Sequence, residues 1–222
     1  MESSMYNRLL LLPIFTGMTT EELTQMLAHI HMEFQQYEPG EVIATQDDRC
    51  NKLIYVLRGC VKVECVDRKN HFMMQEFVEV PFLIEPYNLY GLQQQFQHTY
   101  MAEERTDTVT ISKQEFHTIM LNYKIPRTNV MNMLCAKVQH LEKDLRTCEV
   151  ENVEAKVRQF FKKHALNTKG RKILHIKMED LAAYIGETRL SVSNTLKAWN
   201  QEGLISQPRR GVIHVDDLTK LK

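Results

Sequence analysis

IKMEDLAAYIGETRLSVSNTLKAWNQEGLI, residues 176–205, decides how the chain is organised. Its first half places Leu181, Ala182 and Ile185 on one helical face. Gly186 follows, where a turn of three or four residues needs a permissive backbone. Thr188 then stands as the N-cap of a second helix. On that helix Val192, Leu196 and Trp199 recur at i, i+4 and i+7 and predict the buried side. Arg189, Ser191, Asn194 and Lys197 are left outward, with Ser193 flanking them. Arg pairs with guanine and Asn with adenine, while Ser and Lys reach bases or phosphates. The spacing predicts a helix-turn-helix whose second helix reads a major groove.

Working outward, GLISQPRRGVIHV (203–215) predicts a hairpin, with strands LIS and VIHV around Pro208-Arg209-Arg210-Gly211. Arg209 and Arg210 at its tip suit a wing laid on the phosphate backbone. Charge supports the same partner. Residues 151–222 hold 14 Lys and Arg against 8 Asp and Glu, whereas residues 1–150 hold 14 against 20. A basic back part and an acidic front part imply two modules with different partners, the back one facing a polyanion. A helical packing domain with a solvated basic face explains the charge but not the wing and the turn together.

Upstream, Met131, Leu134, Val138, Leu141, Leu145 and Cys148 are spaced 3-4-3-4-3, an a/d heptad seam. A helix packed on its own sheet usually carries a wider apolar stripe. The narrow seam predicts pairing with a second copy. Before it, YEPGEVIA, LIYVLRGCVKVECV, FMMQEFVEV and DTVTISK are short, β-branched and aromatic, and divided by turn formers, which predicts an antiparallel sandwich or barrel. Residues 1–36 read as helical, with Thr19, Thr20, Glu21 and Glu22 as a helix start and Leu23, Met26, Leu27 and Ile30 as its apolar face. Val153, Val157, Phe160, Phe161 and Ala165 predict a helix ended by Asn167-Thr168-Lys169-Gly170, and ILHIKM a short strand after it.

Taken together, these motifs resemble the Crp/Fnr superfamily over nearly the whole chain. YEPGEVIATQDDRCNKLIYVLRGCVKV (37–63) is similar to the family's cyclic-nucleotide-type β-roll, with a Pro-Gly-Glu turn at 39–41 and a Leu-x-Tyr-x-Leu-x-Gly pattern at 53–59. GETRLSVSNTLKAW (186–199) lies over the family's Gly-x-[ST]-Arg-x-[ST]-Val stretch. The resemblance implies an α+β fold: a sensor β-roll with flanking helices over residues 1–125, a dimerisation helix over 126–150 and a winged helix-turn-helix over 151–222. It implies a homodimeric, cytoplasmic transcription regulator that binds double-stranded DNA, with RNA polymerase as a further partner. By the match Arg189, Ser191 and Asn194 fall on base- or phosphate-contacting positions. Leu190 departs from the pattern, because an acid often follows the Arg, and a Leu cannot accept from cytosine N4.

The front module departs further. Between Lys69 and Arg105 there is no Lys or Arg, and FLIEPYNLYGLQQQF (82–96) lies inside that gap. A buried phosphate needs a cation, a helix N-terminus or both. Nucleotide-binding relatives carry a Gly-Glu pair and an Arg about ten residues on; here Ile84 precedes Glu85, and Gln95 and Phe96 stand where the Arg would be. His71 and His98 are the remaining candidate cations. No tight cyclic AMP or cyclic GMP binding is therefore expected. Two readings stay open: a pocket for an uncharged effector lined by Leu83, Glu85, Tyr87, Tyr90, Gln95 and Thr99, or an interior filled by its own side chains.

Other classes find little support. The five cysteines lack a C-x-x-C pair, which argues against a disulfide framework and against zinc-ribbon or iron–sulfur spacing, and no axial ligand pair for haem is evident. His29-x-His31 falls in the helical lead-in, where such pairs are ordinarily surface residues. No metal site, cofactor, membrane span or catalytic set is expected; LLLLPIF (9–15) is too short to cross a bilayer. The competing class is a dimeric sensor or interaction protein that does not read DNA sequence.

Overall fold

A computed structural model describes residues 9–10, 12–146 and 152–221, with the side chains of 144–146 outside the description. After a helical segment at residues 9–10 comes α1 (Thr20–Leu27), whose start follows the local sequence. Thr19 Oγ1 accepts from the backbone N–H of Glu22 at 3.2 Å, and Glu22 Oε2 accepts from the backbone N–H of Thr19 at 2.8 Å. Eight strands follow: β1 (Glu33–Tyr37), β2 (Val42–Ala44), β3 (Lys52–Arg58), β4 (Cys60–Asp67), β5 (Phe72–Glu79), β6 (Phe82–Ile84), β7 (Thr99–Ala102) and β8 (Thr106–Ser112). All pair antiparallel. One sheet has the order β1-β8-β3-β6, and the opposing strands β5-β4-β7-β2 close the roll. Gly59 turns β3 into β4 at φ +108°; a Cβ there would stand 2.5 Å from Thr106 Oγ1 and 2.8 Å from the Arg105 carbonyl oxygen.

Residues 33–36, expected to belong to the helical lead-in, are strand. EFQQY carries no helical apolar stripe, and only Tyr37 of β1 is buried. Its conformation comes from the ladder to β8, supported by Gln36 Nε2 donating to Asp107 Oδ1 at 2.6 Å. Pairing 71 residues away outweighs local propensity here.

Two helices and the winged module follow the roll. Ser112 caps α2 (Lys113–Asn122), and α3 (Lys124–Arg146) runs on for 23 residues. Asn152 caps α4 (Val153–His164); then come β9 (Lys169–Ile176), α5 (Met178–Ile185), α6 (Arg189–Gln201), β10 (Ser206–Arg209) and β11 (Val212–Asp217). Lys169 and Gly170, expected in a turn, open β9 instead. The first wing strand lies at 206–209 rather than at Leu204-Ile205-Ser206; it is an outer strand, where Pro208 removes no needed hydrogen bond.

The joint between the modules was not foreseen. β9 pairs antiparallel with β5 over five positions, from Phe72↔Ile176 to Glu76↔Lys172. The roll and the wing thereby share one seven-stranded sheet, β10-β11-β9-β5-β4-β7-β2. Phe72 and Met74 of the roll bury themselves in the winged-module core with Phe160, Phe161, Leu174, Ile176, Val192, Leu196 and Trp199. At the end of this ladder Glu76 and Lys172 are buried, with 5% and 1% of their surfaces exposed. Glu76 accepts from the backbone N–H of Leu166 at 2.6 Å and of Asn167 at 3.3 Å, and its Oε2 lies 3.7 Å from Lys172 Nζ. Lys172 Nζ also donates to the carbonyl oxygens of Lys169 and Gly170. Burial pushes the Glu76 carboxyl up and the Lys172 ammonium down from their ordinary values.

Candidate nucleic-acid interface

The reading helix is α6. Gly186 closes α5 in the left-handed region (φ +68°), and the backbone N–H of Glu187 bonds to the Ala182 carbonyl oxygen at 2.9 Å, a Schellman-type stop. Thr188 is the N-cap expected: its Oγ1 accepts from the backbone N–H of Ser191 at 3.1 Å. Val192, Thr195, Leu196 and Trp199 form the buried face. Arg189, Asn194 and Lys197 are exposed. Ser191 and Ser193 are half-buried, and the Ser191 hydroxyl is 2.8 Å from that of Thr188, so its first partner is the cap.

The wing lies beside the start of this helix. A two-residue turn, Arg210-Gly211, joins β10 to β11 with Gly211 at φ +78°. Arg209 and Arg210 are exposed. Glu179 of α5 links the two surfaces: its Oε1 is 3.1 Å from Arg189 Nε and 4.0 Å from Arg210 Nη2. Sequence reading missed Glu179; as a charge in the first turn of a helix it carries no signal beyond an ordinary cap acid. Arg189 of the reading helix and Arg210 of the wing thus meet on one exposed face through Glu179.

The seam of α3 is open along its described length. Met131, Leu134, Val138 and Leu141 are 59%, 38%, 63% and 50% exposed. Leu145 belongs to the last turn of α3, but its side chain, and all of Cys148, lie outside the described residues. Another face of the helix docks on its own chain: Val130 is buried, and Asn129 Nδ2 donates to the carbonyl oxygens of Ile14 and Thr16.

In the roll, Glu85 is the centre of the unusual segment. It is a non-glycine residue at φ +35°, leading a 3-10 turn over Pro86–Asn88, and is 3% exposed. Its carboxylate takes four donors: Asn88 Nδ2 at 2.6 Å, Gln97 N at 2.7 Å, Tyr100 Oη at 3.0 Å and His98 Nδ1 at 2.5 Å. Those bonds offset the backbone strain and leave the carboxylate no need of an outside partner. His98 thus supplies the missing cation, but internally. Two further cations reach the segment from outside the gap: Lys113 Nζ stands 4.7 Å from the Tyr90 ring centre and Lys137 Nζ 5.7 Å from that of Tyr87. Of the other expected pocket residues, Tyr87, Tyr90 and Gln95 are exposed, Leu83 and Thr99 half-buried. Gln95 Nε2 donates to the Asp47 carbonyl oxygen, and Thr99 Oγ1 accepts from Gln46 N. An open cleft of about 700 Å3 lies between the roll and α4, lined by Cys65, His98, Lys163 and His164 among others; of the expected pocket residues only Thr99 borders it.

Two histidines beside this cleft have their pKa values shifted in opposite directions. For His98 burial favours the neutral form, but bonds to Cys65 and Glu85 and the Glu85 charge outweigh it and raise its pKa to about 9. His164 is lowered to about 4, by burial first and then by Lys163; its ring packs on Phe72, Phe160 and Tyr184. Both depart from an ordinary value of 6.5. The His98 contribution is complete below pH 6.5 and fades as pH rises through about 9, while that of His164 is complete above 6.5 and fades as pH falls through about 4. Thermal denaturation should therefore show greatest stability near pH 6.5, with on the order of 3 kcal/mol lost toward pH 9.5. His98→Gln should flatten the alkaline limb; an unchanged limb would rule the pair out as its source.

Among the described residues no group of three or more His, Cys, Asp or Glu could hold a metal ion, and no helix is long and apolar enough to cross a membrane. Comparison with known proteins agrees with the geometry. Residues 155–222 match a Crp-like helix-turn-helix domain, and residues 34–123 match a cyclic nucleotide-binding domain. No curated protein sequence matches at a significant level. Among solved structures, the catabolite activator protein of Thermus thermophilus is similar in fold, with 22% identity over 94% of this chain and 96% of that one and a TM-score of 0.52. Two more distant structures are the c-di-GMP-responsive global regulator CLP of Xanthomonas campestris (14% identity, 87% and 97% covered, TM-score 0.49) and a CooA mutant of Carboxydothermus hydrogenoformans (16%, 95% and 93%, 0.48). With both modules in this order around a long helix, the chain belongs to the Crp/Fnr family of DNA-binding transcription regulators.

Proposed function

We propose that the protein works in the cytoplasm as a homodimer that reads a pseudo-palindromic DNA site. The observation that carries this reading is the face where α6 and the wing meet: Glu179 reaches the exposed Arg189 and Arg210 at once, and Asn194, Lys197 and Arg209 are exposed on the same two elements. Thr188, Ser191 and Ser193 border that face as phosphate or base contacts. Two copies joined along Met131, Leu134, Val138, Leu141, Leu145 and Cys148 set two α6 helices about 34 Å apart, one turn of duplex. Residues 1–125, 126–150 and 151–222 are then the sensing, pairing and reading parts.

The sensor is not tuned to a cyclic nucleotide. The Gly-Glu pair of nucleotide-binding relatives is here Ile84-Glu85, and the Glu85 carboxylate is saturated by Asn88, Gln97, His98 and Tyr100. Of the two readings of the roll, an interior filled by its own side chains has this support. Binding selection of the full chain on random duplex DNA tests the function. A palindrome should be enriched, and Arg189→Ala should weaken binding to it by about 1–3 kcal/mol per half-site, leaving non-specific binding and its salt slope nearly unchanged. Salt-sensitive, sequence-blind binding would instead mark a dimeric sensor that does not read sequence.

A further inference from the structure

The reading face holds one side chain that neither phosphate nor hydrogen-bond readout explains. Leu190 is 70% exposed, and among the described residues of the winged module (152–221) it is the only large hydrophobic side chain left exposed. Helix geometry gives its direction. At 100° per residue the buried set Val192, Thr195, Leu196 and Trp199 shares one side of α6, and Leu190, Asn194 and Lys197 lie diametrically opposite. Leu190 therefore stands at the pole of the surface that docks, in its first turn, where reading helices meet base edges. Its neighbours there are Arg189, Asn194 and Lys197, a setting that suits a polyanion and not an apolar protein surface.

An exposed Leu gains on docking only if it meets an apolar group. The major groove offers one: the 5-methyl of a pyrimidine. We infer that Leu190 is a specificity-determining residue that reads the thymine methyl adjacent to the base contacted by Arg189. This inference rests on the DNA-reading function proposed above. It makes discrimination at one position a matter of shape and burial, with no hydrogen bond to the base.

The test uses the full-length protein and the palindrome obtained by selection. Each thymine is replaced in turn, in both half-sites, by deoxyuridine, which removes the methyl and keeps the Watson–Crick pair. One position should respond, with about fourfold weaker binding per half-site, the value of burying one methyl-sized group. Leu190→Ala, at an exposed position, should fold normally by circular dichroism and bind thymine and uridine duplexes alike. Leu190→Glu should move the preference there toward cytosine, whose N4 it can accept from. Uridine tolerated at every position, or a uridine penalty that survives in Leu190→Ala, would overturn the inference while a selected palindrome keeps the DNA-reading function intact. Failure to select any palindrome would sink that function first, and this inference with it.

Discussion

Glu76→Ala is expected to lower the unfolding free energy by about 3–5 kcal/mol, the range for removing one partner of a buried ion pair. The carboxylate does three things at once. It faces Lys172 Nζ, and it accepts from the backbone N–H groups of Leu166 and Asn167. Its loss leaves a nearly water-free ammonium with two carbonyl oxygens and only the weaker attraction of Asp216 and Asp217, and two backbone donors without their acceptor. Glu76→Gln separates the effects, because an amide oxygen can still accept from Leu166 while the charge is gone; it should fall between wild type and Ala. Urea denaturation measures both. A loss below about 1 kcal/mol for Ala would show that Lys172 finds water on its own and that the joint rests on Phe72 and Met74 instead.

Leu141→Asp is expected to convert the protein to monomers and to weaken binding to a palindromic site by about 10²–10⁴-fold, the advantage of holding two half-site readers together. Leu141 sits at the centre of the seam with half its surface exposed in the single chain. In a two-fold pair each Asp would face its own copy, so the charge repels as well as failing to pack. Sedimentation gives the oligomeric state and a single-half-site duplex gives the reference affinity. An unchanged dimer would remove the α3 stripe as the pairing surface.

What could be read from sequence was what repeats locally. The helix start at Thr19, the Gly186 turn and the Thr188 cap depend on residues a few positions apart, and those expectations match the described structure. The joint between β5 and β9 does not, because its partners are about 100 residues apart and strand propensity names no partner. A trace of it was nonetheless present. Glu76 shares a strand face with Phe72, Met74 and Val78, and Lys172 with Leu174 and Ile176. A lone acid on one apolar face and a lone base on another, each where a core residue belongs, call for a buried partner. The Glu85–His98 pair, 13 residues apart, follows no local period either, although His98 stood among the candidate cations. The absence of Lys and Arg from 70–104 pointed to an uncharged effector or a self-filled interior; in the structure His98, its pKa raised to about 9, faces Glu85 inside, and two lysines from α2 and α3 cover the exposed rings of Tyr90 and Tyr87.

The shared sheet also bears on solubility. Its outer margins are guarded: β2 is three residues long, and β10 carries Pro208 and Arg209. The two strands that meet in its middle, β5 and β9, are eight residues each and carry no proline. Were the winged module to detach, both would present rows of unpaired N–H and C=O groups flanked by Phe72, Met74, Leu174 and Ile176, a template for adding strands from other molecules. Any movement of the winged module is thus safest as a bending of an intact sheet, because opening the joint uncovers that template.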